Sequence, residues 1–367
     1  MMLSRSIAAL QRPAAFARVL ARWFAKNGRD HPWRRTRNPY AILTSEIMLQ
    51  QTQIATVLQR GYYTRWMEQF PDFATLARAR EPEVLKAWEG LGYYRRARFL
   101  HRLAQLVMTD HGGDFPRDMC AIRALPGIGD YTAGAVASFA FDERHPIVDG
   151  NIARVLSRIF DDATPVDTAA GKKRLWDRAT ALVNASGSAR LHNSALMELG
   201  QTICRPTQPL CQLCPVKTFC AATDPASLPV KSNRTEVTRI IERVFFLRDH
   251  SGAVLLEQET GKRRTGLWKL PALPKTRKLP KKLHSLDYTI TRYRVALCVH
   301  AAPEDFAPAM GDHRAMIASS DIPSLPMPSP YRRALNALLA APDLPRSRDT
   351  PDPRSPGDGT VAGRLLK

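Results

Sequence analysis

Apolar residues recur every three or four positions through most of the first 222 residues, which is the period of an amphipathic helix. Short turns that contain Gly, Pro or Asn separate the periodic segments. The pattern therefore predicts a mainly α-helical region with short loops. Its predicted helices cover residues 13–25, 40–51, 54–66, 83–90, 100–110, 131–139, 175–183 and 195–203.

The pattern changes after Cys220. Segments 240–247, 253–257 and 288–300 alternate apolar and polar positions and predict β-strands, whereas 331–341 predicts a helix. We expect a helical domain at residues 13–222, a linker at 223–235 and a small α+β domain at 236–342. Residues 343–367 have few apolar groups to bury, so we expect them to be disordered.

A carboxylate is carried on an apolar helix in the first region. Asn38 and Pro39 predict an N-cap and first turn, and Glu46 follows with Ile42 and Leu49 one turn away on either side. Burial would favour the protonated carboxyl, which can serve as a general acid near neutral pH. The alternative is that Glu46 lies at the edge of the apolar stripe and reaches solvent.

Residues 125–160 combine a tight turn with acid and amide side chains. The Pro-Gly-Ile-Gly turn at 126–129 precedes a predicted helix, and the N–H groups of such a turn suit a phosphate. Asp149 and Asn151 stand at the start of the next amphipathic helix. The alternative is a plain helix-turn-helix whose third helix is capped by Asp149.

Aromatic and basic residues follow one another at a second glycine turn. Tyr93 and Tyr94 precede Arg95, Arg96 and Arg98. Aromatic rings can stack on bases or insert between them, and guanidinium groups can contact phosphates. The alternative is a core tyrosine pair beneath a solvated basic face.

The charge of the chain indicates a polyanionic partner. The 367 residues carry a formal net charge of +20, most simply explained by nucleic acid. A membrane surface is the competing partner, but no apolar run approaches the ~20 residues of a spanning helix. Arginines interrupt the N-terminal apolar segment, which argues against a secretory signal and leaves an organelle transit peptide as the alternative. We expect a cytoplasmic, nucleoid-associated bacterial protein that acts as a monomer.

Four of the six cysteines form a cluster with the spacing C-x6-C-x2-C-x5-C. A tight cluster in a large chain indicates a metal site rather than a disulfide framework. Thiolates at this spacing can hold one [4Fe–4S] cluster or one zinc ion, and either would serve as a structural staple. The residues are Cys204, Cys211, Cys214 and Cys220.

Together these features resemble the endonuclease III superfamily of DNA glycosylases and, within it, the adenine DNA glycosylases of the MutY family. The resemblance covers residues 30–222 and rests on four blocks and the cysteines in one order: 45–53 (SEIMLQQTQ), 90–98 (GLGYYRRAR), 125–134 (LPGIGDYTAG) and 148–156 (VDGNIARVL). It implies a helix-hairpin-helix glycosylase fold with an iron–sulfur loop that holds one [4Fe–4S] cluster. It also implies that the partner is double-stranded DNA with adenine opposite 8-oxoguanine or guanine.

The resemblance implies a role for individual residues. The target adenine is flipped out of the duplex. Glu46 matches the acid that protonates it, and Asp149 matches the carboxylate that stabilises the sugar cation. The other matches are Tyr131 and Asn151 beside the carboxylates, Gln51 and Tyr93 as side chains that enter the duplex, Gly127, Gly129 and Arg95 as DNA contacts, and Trp33 and Arg34 in the adenine pocket.

Tyr131 also predicts the product. The lyases of this superfamily carry a Lys at the same step of the hairpin, and that Lys forms a Schiff base with the sugar. With a tyrosine there, we expect a monofunctional glycosylase that leaves an abasic site.

The C-terminal domain resembles the Nudix-like domain that this family uses to recognise 8-oxoguanine. Residues 266–271 (GLWKLP) match a block of that domain, whereas its Glu-rich pyrophosphatase box is missing, so we expect binding without hydrolysis. The family's Phe-Ser-His loop corresponds to residues 290–292. Thr291 keeps a hydroxyl, while Arg292 donates hydrogen bonds with a different geometry and charge from His.

Two other functions fit parts of the sequence. A related glycosylase that removes thymine or an oxidised pyrimidine would share the cluster and the hairpin, but such relatives as a rule lack a full C-terminal domain. A DNA-binding module without catalysis would not need both Glu46 and Asp149. The extra domain and the two carboxylates therefore favour the adenine glycosylase.

Overall fold

A computed structural model of the chain describes residues 12–232, 236–261, 264–275, 278–303, 306 and 313–341. The chain divides into two compact units, Met1–Glu236 and Val237–Lys367. The tail expected at 343–367 and residues 233–235 of the expected linker lie outside the described residues. Within the described ranges, no helix is both long and apolar enough to cross a membrane.

The first unit is helical in the part that the structure describes. Three short 3-10 helices, Pro32–Arg34, Cys211–Leu213 and Lys217–Phe219, supplement the α-helices. The α-helices are α1 (Pro13–Asn27), α2 (Pro39–Leu49), α3 (Ile54–Gln59), α4 (Tyr62–Gln69), α5 (Phe73–Arg78), α6 (Glu81–Ala87), α7 (Arg95–Asp110), α8 (Met119–Ala124), α9 (Asp130–Phe141), α10 (Gly150–Ile159), α11 (Ala169–Asn184) and α12 (Ala189–Thr202).

Local signals in the sequence set most of the helix starts. Asn38 accepts hydrogen bonds from the backbone of α2 and Pro39 begins that helix, so the predicted cap is confirmed. The continuous helix expected at 54–66 is wrong, because Gly61 lies between α3 and α4 with a φ of 62° in the left-handed region. Helices α5 and α8 were not predicted; each has six residues, too few to show a clear period.

Buried side chains from α1 and α9–α12 form one core cluster of the first unit. Phe16 and Leu20 of α1 pack in this cluster with Leu156 of α10, Leu182 of α11 and Leu199 of α12. Helix α9 also packs against α2. This packing fixes α2, α9 and the start of α10 relative to one another, and these elements carry the two candidate carboxylates.

The second unit contains two small sheets and a helix. Its strands are β1 (Thr238–Phe246), β2 (Val254–Gln258), β3 (Trp268–Lys269), β4 (Lys282–Ile290), β5 (Tyr293–Ala301) and β6 (Arg314–Ile317), followed by α13 (Ser329–Ala340). One sheet has the order β1-β5-β4, in which β5 is parallel to β1 and antiparallel to β4. The other sheet is antiparallel, with the order β3-β2-β6. Helix α13 contributes Leu335 and Leu338 to a core with Val244, Leu297 and Val299.

The single strand expected at 288–300 is wrong. It is instead the end of β4, a turn at Thr291 and Arg292, and most of β5. The turn contains no Gly, Pro or Asn, and Thr291 adopts the left-handed φ of 52°. Apolar and polar residues alternate on both sides of the turn and only the polar pair at 291–292 interrupts them, so the sequence carries no strong turn signal.

Candidate active site

Glu46 is buried inside the first unit. All residues from Tyr40 to Met48 in α2 are buried, and Glu46 itself is only 5% exposed. Its Oε2 accepts a hydrogen bond of 2.9 Å from the hydroxyl of Tyr131 in α9. Burial raises the pKa of the Glu46 carboxyl to about 7; the Tyr131 hydrogen bond opposes this shift, and the charge of Asp149 adds to it. The solvent-edge alternative is therefore wrong, and Glu46 can carry a proton at neutral pH.

Asp149 immediately precedes α10, and both of its carboxylate oxygens are held. Oδ1 accepts a hydrogen bond of 2.7 Å from the backbone N–H of Ile152, which caps the helix. Oδ2 accepts one of 2.9 Å from the side-chain amide of Asn151. The cap interpretation is thus confirmed, and the same residue is placed where its charge raises the pKa of Glu46.

Both carboxyl groups line one cavity with a volume of about 1170 Å³. This exceeds the ~300–1,000 Å³ that is usual for small-ligand pockets. The predicted site residues in the lining are Trp33, Arg34, Glu46, Gln51, Tyr131, Asp149 and Asn151.

Trp33 forms an aromatic wall of this cavity. Its ring stacks on His31, with the ring centres 5.2 Å apart, and meets Tyr63 edge to face at 5.3 Å. Burial and the charges of Arg34 and Arg29 lower the pKa of His31, which keeps its ring neutral. Flat neutral rings beside guanidinium groups suit a heteroaromatic base.

Glu198 orients two arginines of the cavity and is not among the site residues predicted from the sequence. Its side chain in α12 is fully buried; Oε1 accepts from Arg29 at 2.5 Å and Oε2 from Arg34 at 2.8 Å. Leu191 and Ala195 precede it at helical spacing. Glu198 therefore carries the same sequence signal as Glu46, a carboxylate on an apolar helix face.

The four cysteines follow α12 in one loop, and all are free thiols. Burial and the neighbouring thiols of Cys204, Cys220 and Cys211 raise the pKa of Cys214 to about 11. Arg158 approaches Cys204 Sγ to 3.4 Å. Within the described part of the chain, no group of three or more His, Cys, Asp or Glu side chains is already arranged around a metal position. Four soft thiol donors nevertheless suit an iron–sulfur cluster or zinc.

Helix α10 joins the cysteine loop to the carboxylate. Arg154 donates from Nη2 to the side-chain oxygen of Asn151 at 2.9 Å and from Nε to the carbonyl of Cys204 at 2.8 Å. Asn151 in turn donates to Asp149. The position of the Asp149 carboxylate is therefore linked by hydrogen bonds to the backbone of the loop.

The tyrosine and arginine pairs of the second glycine turn are divided between core and surface. Tyr93 is 41% exposed, whereas Tyr94 is buried. Arg95 is exposed and stacks on the Phe99 ring at 4.6 Å, while Arg96 is buried. The expectation that Arg96 contacts phosphate is therefore wrong, because its guanidinium is occupied inside the protein.

The Pro-Gly-Ile-Gly turn has the conformation that its glycines predict. Gly127 has a φ of 79°, and a Cβ there would lie 2.8 Å from the Phe99 side chain. Gly129 is the N-cap of α9, with open space around it. This turn, Tyr93 and Arg95 lie outside the cavity lining, whereas Gln51 is part of it.

Similar proteins identify the family. Residues 44–178 match the HhH-GPD superfamily of base excision DNA repair proteins. An adenine DNA glycosylase of Buchnera aphidicola subsp. Baizongia pistaciae is 33% identical over 258 residues, which cover 69% of this chain and 71% of that protein. The chain belongs to the adenine DNA glycosylase family.

A mammalian member of the adenine DNA glycosylase family extends well beyond this chain. The rat protein is 44% identical over 217 residues, which cover 57% of this chain and 42% of the rat protein. The chain thus spans less than half the length of this relative.

The fold of the first unit is also seen in a solved structure, that of a thermostable thymine-DNA glycosylase. It is 32% identical with a TM-score of 0.52 and covers 57% of this chain and 96% of that chain. With the HhH-GPD match, this confirms the helix-hairpin-helix glycosylase fold predicted for the helical region.

In the second unit of this adenine DNA glycosylase family member, Thr291 and Arg292 form the exposed tip of the β4–β5 hairpin. The Arg292 guanidinium lies 5.2 Å from the centre of the Tyr293 ring and donates to its hydroxyl at 3.1 Å. Both side chains are presented on the surface, outside the strands.

Proposed function

We propose that this chain is a monofunctional DNA glycosylase that hydrolyses the N-glycosidic bond of adenine opposite 8-oxoguanine or guanine. One observation carries the proposal: the buried Glu46 carboxyl, held by Tyr131, lines the same cavity as Asp149. Membership of the adenine DNA glycosylase family supports adenine as the base.

Double-stranded DNA is the proposed substrate. The net charge of +20 favours a polyanion. The carboxyl groups lie in a cavity, so the target nucleotide must leave the base stack to reach them. Trp33 and the guanidinium of Arg34 then form the walls against which the base is held.

Glu46 and Asp149 divide the chemistry between them. The Glu46 carboxyl gives its proton to a ring nitrogen of adenine, and the glycosidic C–N bond breaks with its electron pair going to the base. The ionised Asp149 carboxylate stabilises the oxocarbenium-like sugar that remains. Water then adds to the sugar carbon, and its proton passes to the now ionised Glu46. The enzyme is thereby restored and an abasic site is left.

Because position 131 is a tyrosine, the enzyme is expected to lack lyase activity. Its phenol orients the Glu46 carboxyl and cannot form a Schiff base with the sugar. Strand breaks are therefore expected only after alkali treatment of the abasic product.

We propose that Cys204, Cys211, Cys214 and Cys220 hold one [4Fe–4S] cluster. The C-x6-C-x2-C-x5-C spacing, the free thiols and the neighbouring Arg158 guanidinium support this. When bound, the cluster would cross-link the loop as a structural staple. The backbone of Cys204, which Arg154 contacts, would then be fixed in place.

The second unit is proposed to be a Nudix-like domain that recognises the 8-oxoguanine opposite the target adenine. The hydroxyl of Thr291 and the guanidinium of Arg292 supply hydrogen-bond donors on an exposed hairpin. We further propose that the protein acts as a monomer in the bacterial cytoplasm.

Single-turnover base release on four matched duplexes tests the proposal. The duplexes carry adenine opposite 8-oxoguanine, guanine or thymine, and thymine opposite guanine. Release from the first two, strand breaks only after alkali, and absorbance at about 400 nm from an iron–sulfur cluster are the expected results. Release of thymine opposite guanine would instead support the second candidate, which the similarity to a thymine-DNA glycosylase structure favours.

A further inference from the structure

Arg96 is a buried arginine whose guanidinium lies between two loops of the first unit. It is 8% exposed and belongs to the first turn of α7. We define the Gln51 loop as residues 50–53 and the Tyr93 loop as residues 90–94. The terminal nitrogens of Arg96 lie within hydrogen-bond distance of the carbonyl oxygens of Ile47, Met48, Gln50, Leu91 and Gly92 and the hydroxyl of Thr52.

One terminal nitrogen of this guanidinium contacts carbonyl oxygens at the C-terminal end of α2. Nη1 lies 2.8 Å from the carbonyl oxygen of Ile47, 3.0 Å from that of Met48 and 2.5 Å from that of Gln50. The last carbonyls of a helix have no partner within the helix, and a cation there also interacts favourably with the negative end of the helix dipole. Arg96 thereby fixes the point at which the chain leaves α2 for the Gln51 loop.

The other terminal nitrogen contacts carbonyl oxygens of the Tyr93 loop. Nη2 lies 3.0 Å from the carbonyl oxygen of Leu91 and 3.2 Å from that of Gly92. The Gly92 oxygen also accepts from the indole N–H of Trp88 at 3.0 Å. The guanidinium lies 5.3 Å from the Trp88 ring and 5.6 Å from the Tyr93 ring. One cation thus contacts both loops.

In each loop, the residue with the exposed side chain has an unfavourable backbone conformation. Gln51 has a φ of 57° and Tyr93 a φ of 47°, and each directly follows a residue whose carbonyl Arg96 contacts. This left-handed conformation is unfavourable for side chains such as those of Gln and Tyr, so the surrounding structure must hold it. The hydrogen bonds of Arg96 supply that enforcement in both loops.

We propose that Arg96 is a positioning residue that joins the Gln51 loop and the Tyr93 loop into one rigid element that enters the duplex beside the flipped base. This rests on the proposed function. A guanidinium presents a planar fork of N–H groups that reaches both loops at once, whereas a lysine has its three N–H groups on one nitrogen. Arg96→Lys therefore keeps the charge and removes the connection.

A double-mutant cycle distinguishes positioning from general stability. Affinity is measured for a duplex with non-hydrolysable 2′-fluoro-deoxyadenosine opposite 8-oxoguanine and for the same duplex with an undamaged A:T pair. Arg96→Lys is made in the wild type and in the variant with Gln51→Ala and Tyr93→Ala. The matched control is Arg178→Lys, because Arg178 is also buried and pairs with Asp162 at 2.5 Å.

We expect Arg96→Lys to weaken binding to the mispaired duplex by about tenfold in the wild type and by less than about twofold when Gln51 and Tyr93 are already alanine. Binding to the A:T duplex should change little, and Arg178→Lys should lower the melting temperature without this pattern. A tenfold loss that persists without Gln51 and Tyr93, or an equal loss from Arg178→Lys, would overturn the proposal.

The two proposals can fail separately. Release of adenine by the wild type tests the proposed function, whereas the Arg96 proposal is decided by the binding cycle. A wild type that binds the mispaired duplex no more tightly than the A:T duplex would overturn the Arg96 proposal, since the loops would then have no insertion to organise.

Discussion

Tyr131 and Glu46 share a buried hydrogen bond of 2.9 Å in which the carboxyl is the group that titrates near neutrality. Burial and the charges of Glu46 and Asp149 raise the pKa of Tyr131 well above its ordinary value, so its phenol stays a donor. Burial brings the pKa of Glu46 to about 7. Base release should therefore require the protonated carboxyl and decline as the pH rises above about 7.

Glu46→Gln should strongly reduce base release and stabilise the protein in alkaline solution. The pKa of Glu46 rises from 4.5 to about 7 on folding, so ionising it costs the folded state about 3 kcal/mol above pH 7. This destabilisation is absent below pH 4.5, grows between pH 4.5 and about 7, and is fully present above the folded pKa. Urea unfolding at about pH 5 and about pH 8 should show a gain for the variant that is larger at the higher pH.

Base release by Glu46→Gln should fall by at least about a hundredfold, which single-turnover kinetics can measure. A variant that remains fully active would remove Glu46 from the role of acid, whatever its effect on stability.

Tyr131→Phe should move the alkaline decline of activity to higher pH. The phenol hydrogen bond lowers the pKa of Glu46, so its loss leaves burial and the Asp149 charge to raise that pKa further. The rate at low pH should also fall, because the carboxyl is no longer oriented. A pH–rate profile under single-turnover conditions checks both effects, and a decline at unchanged pH would contradict the proposed coupling.

Glu198→Gln should shift the same profile the opposite way. The charge of Arg34 lowers the pKa of Glu46, and the Glu198 carboxylate neutralises that arginine at 2.8 Å. Without the carboxylate, activity should decline at lower pH than in the wild type. Asp177→Asn is the matched control, because Asp177 pairs with Lys173 on the surface of α11. Equal profiles for the two variants would show that Glu198 acts only on stability.

His192→Phe should make the protein more resistant to acid. Burial lowers the pKa of His192 from 6.5 to about 4, so the folded state keeps it neutral while the unfolded chain protonates. Stability is fully present above pH 6.5 and is lost as the pH falls toward 4, by up to about 3 kcal/mol. Denaturant unfolding across this range should show a shallower loss in the variant, and parallel curves for the two proteins would refute the assignment.

Glu46 and Asp149 could be found from the sequence because local signals mark them. One lies on an apolar helix face and the other starts a helix after an apolar run. Glu198 carries the same kind of signal, but its importance depends on Arg29 and Arg34, which are more than 160 positions away. Ion pairs between residues so far apart leave no periodic pattern in the sequence from which they could be predicted.

The burial of Arg96 and the position of the β4–β5 turn could not be predicted from the local sequence. Arg96 directly follows the exposed Arg95, and its burial depends on carbonyls at the end of α2, which lie 46 to 49 positions away, as well as on the adjacent Tyr93 loop. The turn at Thr291 takes a left-handed conformation without a glycine or asparagine. In both cases tertiary contacts overrule the local preference of the residue.

Strand β5 lies between β1 and β4 in its sheet, although it is the last of the three along the chain. Thr238 in β1 pairs with Tyr293 in β5, so β1 gains this strand partner only after residues 293–301 have left the ribosome. Before that, only the end of β1 can pair, through the bridge between Val244 and Ala272. The helical unit, which ends at residue 236, can complete its local contacts earlier. The order of synthesis thus favours a helical unit that folds first and a sheet that is completed only when its central strand has been made.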